Sequence, residues 1–580
     1  MNSVTSRRRP SLIDRLFHYL NGLGKGDALL ITIAGLVFVA SLVTLGISIS
    51  EKHTSVVAAR GGVLTEGVVG TPRFINPVLA VTRADRDMAE LIYAGLAHLG
   101  TEGTIEPDIA ESITISEDGR VYNVILRPEV VFQDGTPLTS QDVAFTIAQI
   151  QNPGLASPLR ASWDGVAVEV VSPTEINFVL NEPYGPFIEN LTVGILPHHI
   201  WSTATNEDFP FSQWNSEPIG AGAYAIKDIV RNTSGIPDSY VLVPHKNYHH
   251  DAPRLAQIAI NFYPNEDAVV AAFNAKKIDS AAGLSPESLV KLVLDPSTHE
   301  LVTTPLPRTF ALFFNQNKST ALRNSTARRA LDVAIDKEAL IKQVLRGYAE
   351  PLSSPIPAGF GIEGVAGVPR ATSSIEAARA MLENGGWKIN PATGIYEITV
   401  DEVVTPLSFS IATINTPVFA ETAEYLRETW TKLGASVLIQ QFEQSDLTQA
   451  IIRPRDYEAL LFGTVVGRSL DFYSFWHSSQ QNDPGLNIAL YANITTDGAL
   501  EEARTTASST VRNAAVIRFR DEIAKEMPAI FLYNPEFTYV LPKAVTGEGF
   551  TGLAEPYERF SYIEQWYIET DSVWSIFINL

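Results

Sequence analysis

Ten histidines carry the most obvious capacity for ligation or acid–base chemistry in this 580-residue chain, and four of them form adjacent pairs, His198-His199 and His249-His250. Neighbouring side chains point in different directions on most backbones, so neither pair has the i,i+4 spacing of a helical zinc motif, and no run of carboxylates completes a set of ligands. Surface or packing roles follow for all four, and no metal site is expected. Gly220-Ala221-Gly222-Ala223-Tyr224-Ala225 fits the G-x-G-x-x-A pattern of dinucleotide sites, but no apolar strand leads into it and no clean helix leaves it. It reads as a turn. Asp134-Gly135-Thr136-Pro137 is likewise tight-turn chemistry leading into a capped helix. The chain holds no G-x-S-x-G, no G-x-x-x-x-G-K-[ST] and no cysteine. A hydrolase elbow, an ATP cradle, a thiolate nucleophile, Cys-ligated zinc, a disulfide and a Cys-linked lipid anchor are all without a sequence basis. No catalytic residue and no cofactor is expected. The segment with the strongest binding chemistry is 462–476, where Arg468 precedes Asp471 amid Phe472, Phe475 and Trp476, with Tyr491 further on. Arg468 has two readings: a bidentate fork for a ligand carboxylate or phosphate, or a local contact with Asp471. The aromatic residues can stack on a ligand or fill a core.

Charge places these groups in a compartment. The formal net charge is −22, which repels nucleic-acid phosphates and argues against a nucleic-acid partner. Residues 1–27 run against the trend, with Arg7, Arg8, Arg9, Arg15 and Lys25 opposed by Asp14 and Asp27. Residues 28–50 contain no charged side chain and are long enough, at about 1.5 Å per residue, to cross a hydrocarbon core of roughly 30 Å. Basic residues before this run and acidic text after it predict a cytoplasmic tail (1–27), one transmembrane anchor (28–50), a tether (51–60) and an extracytoplasmic body. A cleavable signal peptide ending near Val57-Ala58-Ala59 is the alternative.

The elements that must position the binding residues are mixed. Residues 63–69 read as a strand, residues 85–96 as a helix, and the SEDGR turn at 116–120 joins a hairpin. Thr139 to Asp142 form a capping box before an amphipathic helix, and short strands dominate to about residue 265. From about residue 307 the helices lengthen, with caps expected at Ser325, Asp336 and Ser373 and a stop at Gly385-Gly386. Strand, helix and strand then alternate, which predicts an α/β layer.

The order of several blocks resembles a known family. They are Gly61-Gly62-Val63-Leu64, Thr71 to Pro77, Leu91 to Leu96, and Pro107 to Ser112 with Ile113 replacing the usual aromatic. Asp118 to Arg127 and Phe132 to Thr139 are the most diagnostic, followed by Pro218 to Tyr224, Asn247-Tyr248, Ala330-Leu331, Ala334 to Lys337 and Gly385-Gly386-Trp387. Together, over roughly 61–545, they resemble the extracellular solute-binding proteins, family 5, of ABC importers, a group that binds dipeptides, oligopeptides and nickel complexes. The resemblance implies an α/β, two-lobed, periplasmic-binding-protein-like (type II, Venus-flytrap) fold with an extra N-terminal subdomain. The first lobe would comprise 61–306 and 530–580, and the second 307–529. It also implies capture of a small solute, most readily a short peptide, by hinge closure without bond making, and delivery to permease subunits by a monomer. A membrane sensor and an extracellular hydrolase are the alternative functions.

By family position, Phe74 and Asn315 join Arg468, Asp471, Phe472, Trp476 and Tyr491 as expected ligand contacts. The loop after Gly463 departs from peptide-binding relatives, which often place Trp next and soon an acid that meets the peptide's amino group. Here Thr464 follows, and Arg468 comes before any acid. Asp471 resembles the later Asp of the family's DPxNF segment. On this reading Arg468→Ala weakens binding of the natural solute, and calorimetry showing unchanged affinity would remove Arg468 from the site.

Overall fold

The computed structural model describes residue 19 and residues 24–100, 103–357, 359–360, 373–506, 508–547, 549–550 and 552–574. Most of the basic tail expected at 1–27 lies outside the described residues. Two compact units are present. In the smaller, a 29-residue helix spans Lys25–His53, and the strand Thr54–Ala58 pairs antiparallel with Thr570–Trp574. The segment expected as a tether therefore carries a strand, and its partner strand Thr570–Trp574 lies in the same unit.

The expected membrane span is helical, and its side chains over 29–45 are exposed and almost wholly apolar. Among the described residues, however, no helix is long and apolar enough to cross a membrane.

The larger unit, Arg60–Ile568, is built on one ladder of 12 strands. Its spine runs in the order Ser436–Phe442, Ser408–Ile414, Ala459–Val465, Arg308–Phe314, Ala529–Pro542, Ser280–Ala282, Val63–Val69, Gln257–Tyr263, Pro237–Pro244 and Tyr224–Arg231. The 14-residue strand Ala529–Pro542 joins the two ends of this ladder. Its first half pairs with Arg308–Phe314 and its second half with His299–Pro305, both antiparallel. Separate hydrophobic cores lie on either side of the changeover. One gathers residues from Leu64 to Leu306 together with Phe537 to Trp566, and the other side is packed from residues between Phe310 and Tyr533. A further four-stranded antiparallel sheet, formed by Ala110–Ile115, Val121–Leu126, Glu175–Leu180 and Val166–Ser172, packs onto the first core.

Local chemistry explains the element boundaries. The helix Arg83–Ile92 begins where Thr82 accepts from the Asp85 N–H at 3.1 Å and the Asp85 carboxylate accepts from the Thr82 N–H at 3.0 Å. The Asp142 carboxylate accepts from the Thr139 N–H at 2.8 Å in the same way. Two expected caps move by one residue: Asn324 rather than Ser325, and Ser374 rather than Ser373, accept the first helical N–H groups. In each case the capping residue is the neighbour whose backbone is extended and whose side-chain oxygen reaches the N–H three residues on. Gly220 and Gly222 let their turn lie against the Ile92 carbonyl, whose oxygen a Cβ at either position would strike. Close approach, not phosphate binding, accounts for that glycine pattern.

The first core contains a charged centre. Arg559 donates to both Asp87 oxygens at 2.7 Å and to Glu66 Oε1 at 2.7 Å, and the Tyr539 hydroxyl donates to Glu66 Oε2 at 2.5 Å. The Arg559 and Glu66 side chains are 0% exposed. Burial opposes the Arg559 charge, but Asp87 and Glu66 outweigh it and hold its pKa well above the ordinary value. Removing the cation would strand two buried carboxylates, so Arg559→Leu is expected to cost about 3–5 kcal/mol. An unchanged denaturation midpoint in urea would contradict this role.

Candidate ligand cleft

A cavity of about 1180 Å³ opens between the helix Arg83–Ile92, the hairpin Ala97–Leu99 with Ile105–Pro107, the loop between Pro237–Pro244 and Gln257–Tyr263, and the segment 554–565. The second lobe contributes Val465, Gly467 and Arg468, from the end of the strand Ala459–Val465 and the loop beyond it. The cavity is thus walled mainly by the first lobe and closed by one loop of the second.

Arg468 makes that closure. Its guanidinium donates to Glu558 Oε2 at 2.8 Å, to the Gly103 carbonyl at 3.2 Å and to the Gly552 carbonyl. Glu558 in turn accepts from the N–H groups of Ala554 and Glu555 at 2.6 and 3.1 Å. Neither sequence reading of Arg468 anticipates this partner: in the structure the charge is met by a carboxylate 90 positions away, which leaves less of it for a ligand anion. Asp471 is engaged elsewhere, accepting from the Tyr184 hydroxyl at 3.2 Å and facing Arg504 at 3.6 Å. Since Tyr184 belongs to the first lobe, this is a second contact between the lobes, reinforced by the Arg504 guanidinium 5.1 Å from the Tyr184 ring.

The other expected contacts do not line the cavity. Phe472, Trp476 and Tyr491 are 1%, 3% and 4% exposed and pack in the second lobe's core, with Phe472 against Phe519 and Trp476 against Phe313. Asn315 is buried and braces a turn, donating to the Arg455 carbonyl at 3.0 Å and accepting from the Asn317 N–H at 3.2 Å. Phe74 is half-buried beneath Arg73, its N–H bound to Asp85 at 2.7 Å. Aromatic residues at strand ends serve a core as readily as a cleft, and composition alone does not separate the two.

The wall carries chemistry that the sequence reading missed. Asp108 Oδ1 lies 2.6 Å from His249 Nε2, 2.8 Å from His250 Nε2 and 3.8 Å from His98 Nδ1. Burial alone would raise the Asp108 pKa, but the three imidazoles override it and hold the carboxyl well below its usual range. The signal was non-local: the adjacent histidines lie about 140 positions from the acid they meet. The pair His198-His199 goes elsewhere, with His199 Nε2 2.7 Å from Asp134 on the surface turn.

Eight carboxylates line the cavity against three arginines, among the described residues, so the wall is acidic. Burial pushes the Glu90 and Glu189 carboxyls up to about 7, partly offset at Glu90 by the Ser561 hydroxyl and at Glu189 by Arg468. Such a wall favours a cationic or amino-bearing solute over an anion.

A large cavity roofed by a loop from the opposite lobe, with the chain crossing twice between lobes, defines a two-lobed binding protein of the α/β periplasmic type. Residues 104–485 match the model of the bacterial extracellular solute-binding proteins, family 5 (middle region), and the chain belongs to that family. It is 25% identical over 527 residues to the oligopeptide-binding protein AppA of Bacillus subtilis, covering 90% of this chain and 94% of that protein. It is 26% identical over 402 residues to the nickel-binding periplasmic protein of Escherichia coli, covering 67% and 72% of the two chains. Among solved structures, B. subtilis AppA in complex with a nonapeptide superposes with a TM-score of 0.66 at 24% identity, covering 88% of this chain and 100% of that one. NikZ of Campylobacter jejuni in complex with Ni(L-His) gives 0.67 at 24% identity, covering 87% and 99%. At these identities the structural likeness establishes the fold.

The raised carboxyls give a pH dependence with a definite sign. Between about pH 4.5 and 7 the folded chain holds protons at Glu90 and Glu189 that the unfolded chain has released. Their contribution to stability is complete below the unfolded pKa and is lost as pH rises through about 7. Glu90→Gln should therefore lessen the loss of stability between about pH 5 and pH 8 by on the order of 1 kcal/mol, after solvent screening. Parallel denaturation curves for both proteins at the two pH values check this; an equal or larger loss in the variant refutes it.

Proposed function

We propose that the chain is the membrane-tethered receptor of an ABC importer, taking short peptides by closure of two jaws and handing them on intact to permease subunits. One jaw is the body around the first core, and the other is residues 307–529. The observation that carries this reading is the cavity closed by Arg468, a residue of one lobe bonded to Glu558 of the other. Its volume, about 1180 Å³, exceeds the roughly 300–1,000 Å³ of small-molecule pockets and leaves room for several peptide units. Its acidic lining suits a peptide's ammonium terminus. Relatives named for oligopeptide binding support the same class.

Closure needs a soft joint, and the two crossings at 305–308 and 534–536 supply one. Prolines at 305, 307 and 535 remove ladder donors there. Ion pairs and hydrogen bonds between the lobes then bias the open–closed equilibrium by amounts a ligand can exceed. The chemistry is binding and release, with no covalent step. Tethering rests on the uncharged run 28–50 and the basic residues before it, which orient the body to the outer face.

The full-length chain, purified in mild detergent from membranes, tests the reading. Mass spectrometry of the solute released on denaturation is expected to show short peptides. Added peptide at about 100 times its Kd should stabilise the chain by about 2.7 kcal/mol. Absence of any peptide shift across a di- to pentapeptide library, or recovery of the chain in the soluble fraction without detergent, would overturn the corresponding half of the proposal.

A further inference from the structure

We propose that His98, Asp108 and His250, on the first-lobe wall of the cavity, bind a divalent transition-metal ion, with His249 orienting the Asp108 carboxylate. Their donor atoms, His98 Nδ1 or Nε2, one Asp108 oxygen and one His250 ring nitrogen, all lie within 4.8 Å of one another. Metal–nitrogen and metal–oxygen bonds of about 2.0–2.2 Å place donors in a tetrahedral shell roughly 3.3–3.5 Å apart. The Asp108–His250 and Asp108–His98 separations, 2.8 and 3.8 Å, straddle that spacing, and the His98–His250 donors, within 4.8 Å, close onto it by side-chain rotation.

His249 and His250 both reach the same Asp108 oxygen, and His98 stands farther off at 3.8 Å. An ion between His98, Asp108 and His250 draws His98 into the set. It leaves His249, whose side chain is 1% exposed, as the single tight partner of the carboxylate at 2.6 Å. The backbone around the group is rigid: Asp108 follows the strand paired with the one carrying His98, and the Arg127 side chain donates to the Asp108 carbonyl at 2.8 Å.

Independent features of the same wall also call for a polar guest. The Tyr562 ring stands edge-on to His98 at 5.7 Å, and its hydroxyl is buried with no partner among the described residues. Glu106 and Glu564 bear on His98 electrostatically and add the negative field that a cation requires. Two imidazoles and one carboxylate suit Zn²⁺, Co²⁺, Ni²⁺ or Cu²⁺ and disfavour Mg²⁺ and Ca²⁺. Three protein donors leave coordination positions open toward the cavity, where an amino or carboxylate group of a solute can complete the shell. That last step rests on the cavity being the solute site; metal binding itself does not.

The probe is Zn²⁺ alone, titrated calorimetrically into full-length, EDTA-stripped chain in detergent. One ion per chain is expected. His98→Ala and His250→Ala should each weaken binding by at least about 10-fold, while His199→Ala on the surface turn leaves it unchanged. Co²⁺ should give visible bands that the His98 and His250 variants lose. His249→Ala, altering a positioning residue, should lower affinity but keep the stoichiometry and the bands. Zn²⁺ should also shield His98 and His250 of the wild-type chain from diethylpyrocarbonate, which decides the matter should a variant fail to fold. No saturable Zn²⁺ binding, equal affinity in the His98 and His250 variants, or equal modification with and without Zn²⁺ overturns the proposal. Peptide shifts measured on the metal-stripped chain test the solute reading separately.

Discussion

Two antiparallel crossings placed side by side govern how this molecule is put together. The strand Ala529–Pro542 gives its first half to the ladder of one lobe and its second half to the other. The link from His299–Pro305 to Arg308–Phe314 runs back beside it. Every residue of that long strand before Pro535 is buried, and Pro535 and Glu536 at the changeover are half-exposed. Each lobe therefore completes its own core, and the connection between them is narrow. That combination lets the lobes move as bodies without unpacking either interior.

The distribution of charge follows from this division. Deep in the first lobe, Arg559 is matched by Glu66 and Asp87 with short, paired hydrogen bonds and no exposure, an arrangement that ties the segment near residue 559 to the first strand and first helix. At the cavity the matching is incomplete. Arg468 satisfies Glu558, while Glu90 and Glu189 lack a full counter-charge and are held near neutrality. A fixed interior ion pair stabilises one geometry, whereas under-compensated groups on a wall are what a guest can complete.

The contacts between lobes are of the second kind. Arg468 with Glu558, Arg308 with Glu555, and Tyr184 with Asp471 and Arg504, are polar and peripheral to both cores. The Arg468 and Glu558 side chains are 10% and 15% exposed and form the firmer contact, while the more exposed Arg504–Asp471 pair contributes little.

The α/β character was legible from local text, because strands, caps and turns depend on neighbours within a few residues, whereas the two lobes were implied only by the family resemblance. Thr139 with Asp142, the SEDGR hairpin and the Gly385-Gly386 stop read correctly for that reason. The uncharged run 28–50 was legible as well, being a property of composition. The site was not. Whether Phe472, Trp476 and Tyr491 face a guest or a core depends on what packs over them, and tertiary structure buries all three. Arg468 found Glu558, and His249-His250 found Asp108 and His98, across 90 to some 150 positions of chain. Residue types set what chemistry is available; only the folded path of the backbone sets which charges meet, because Coulomb and hydrogen-bond energies depend on distance in space and carry no trace of separation along the sequence.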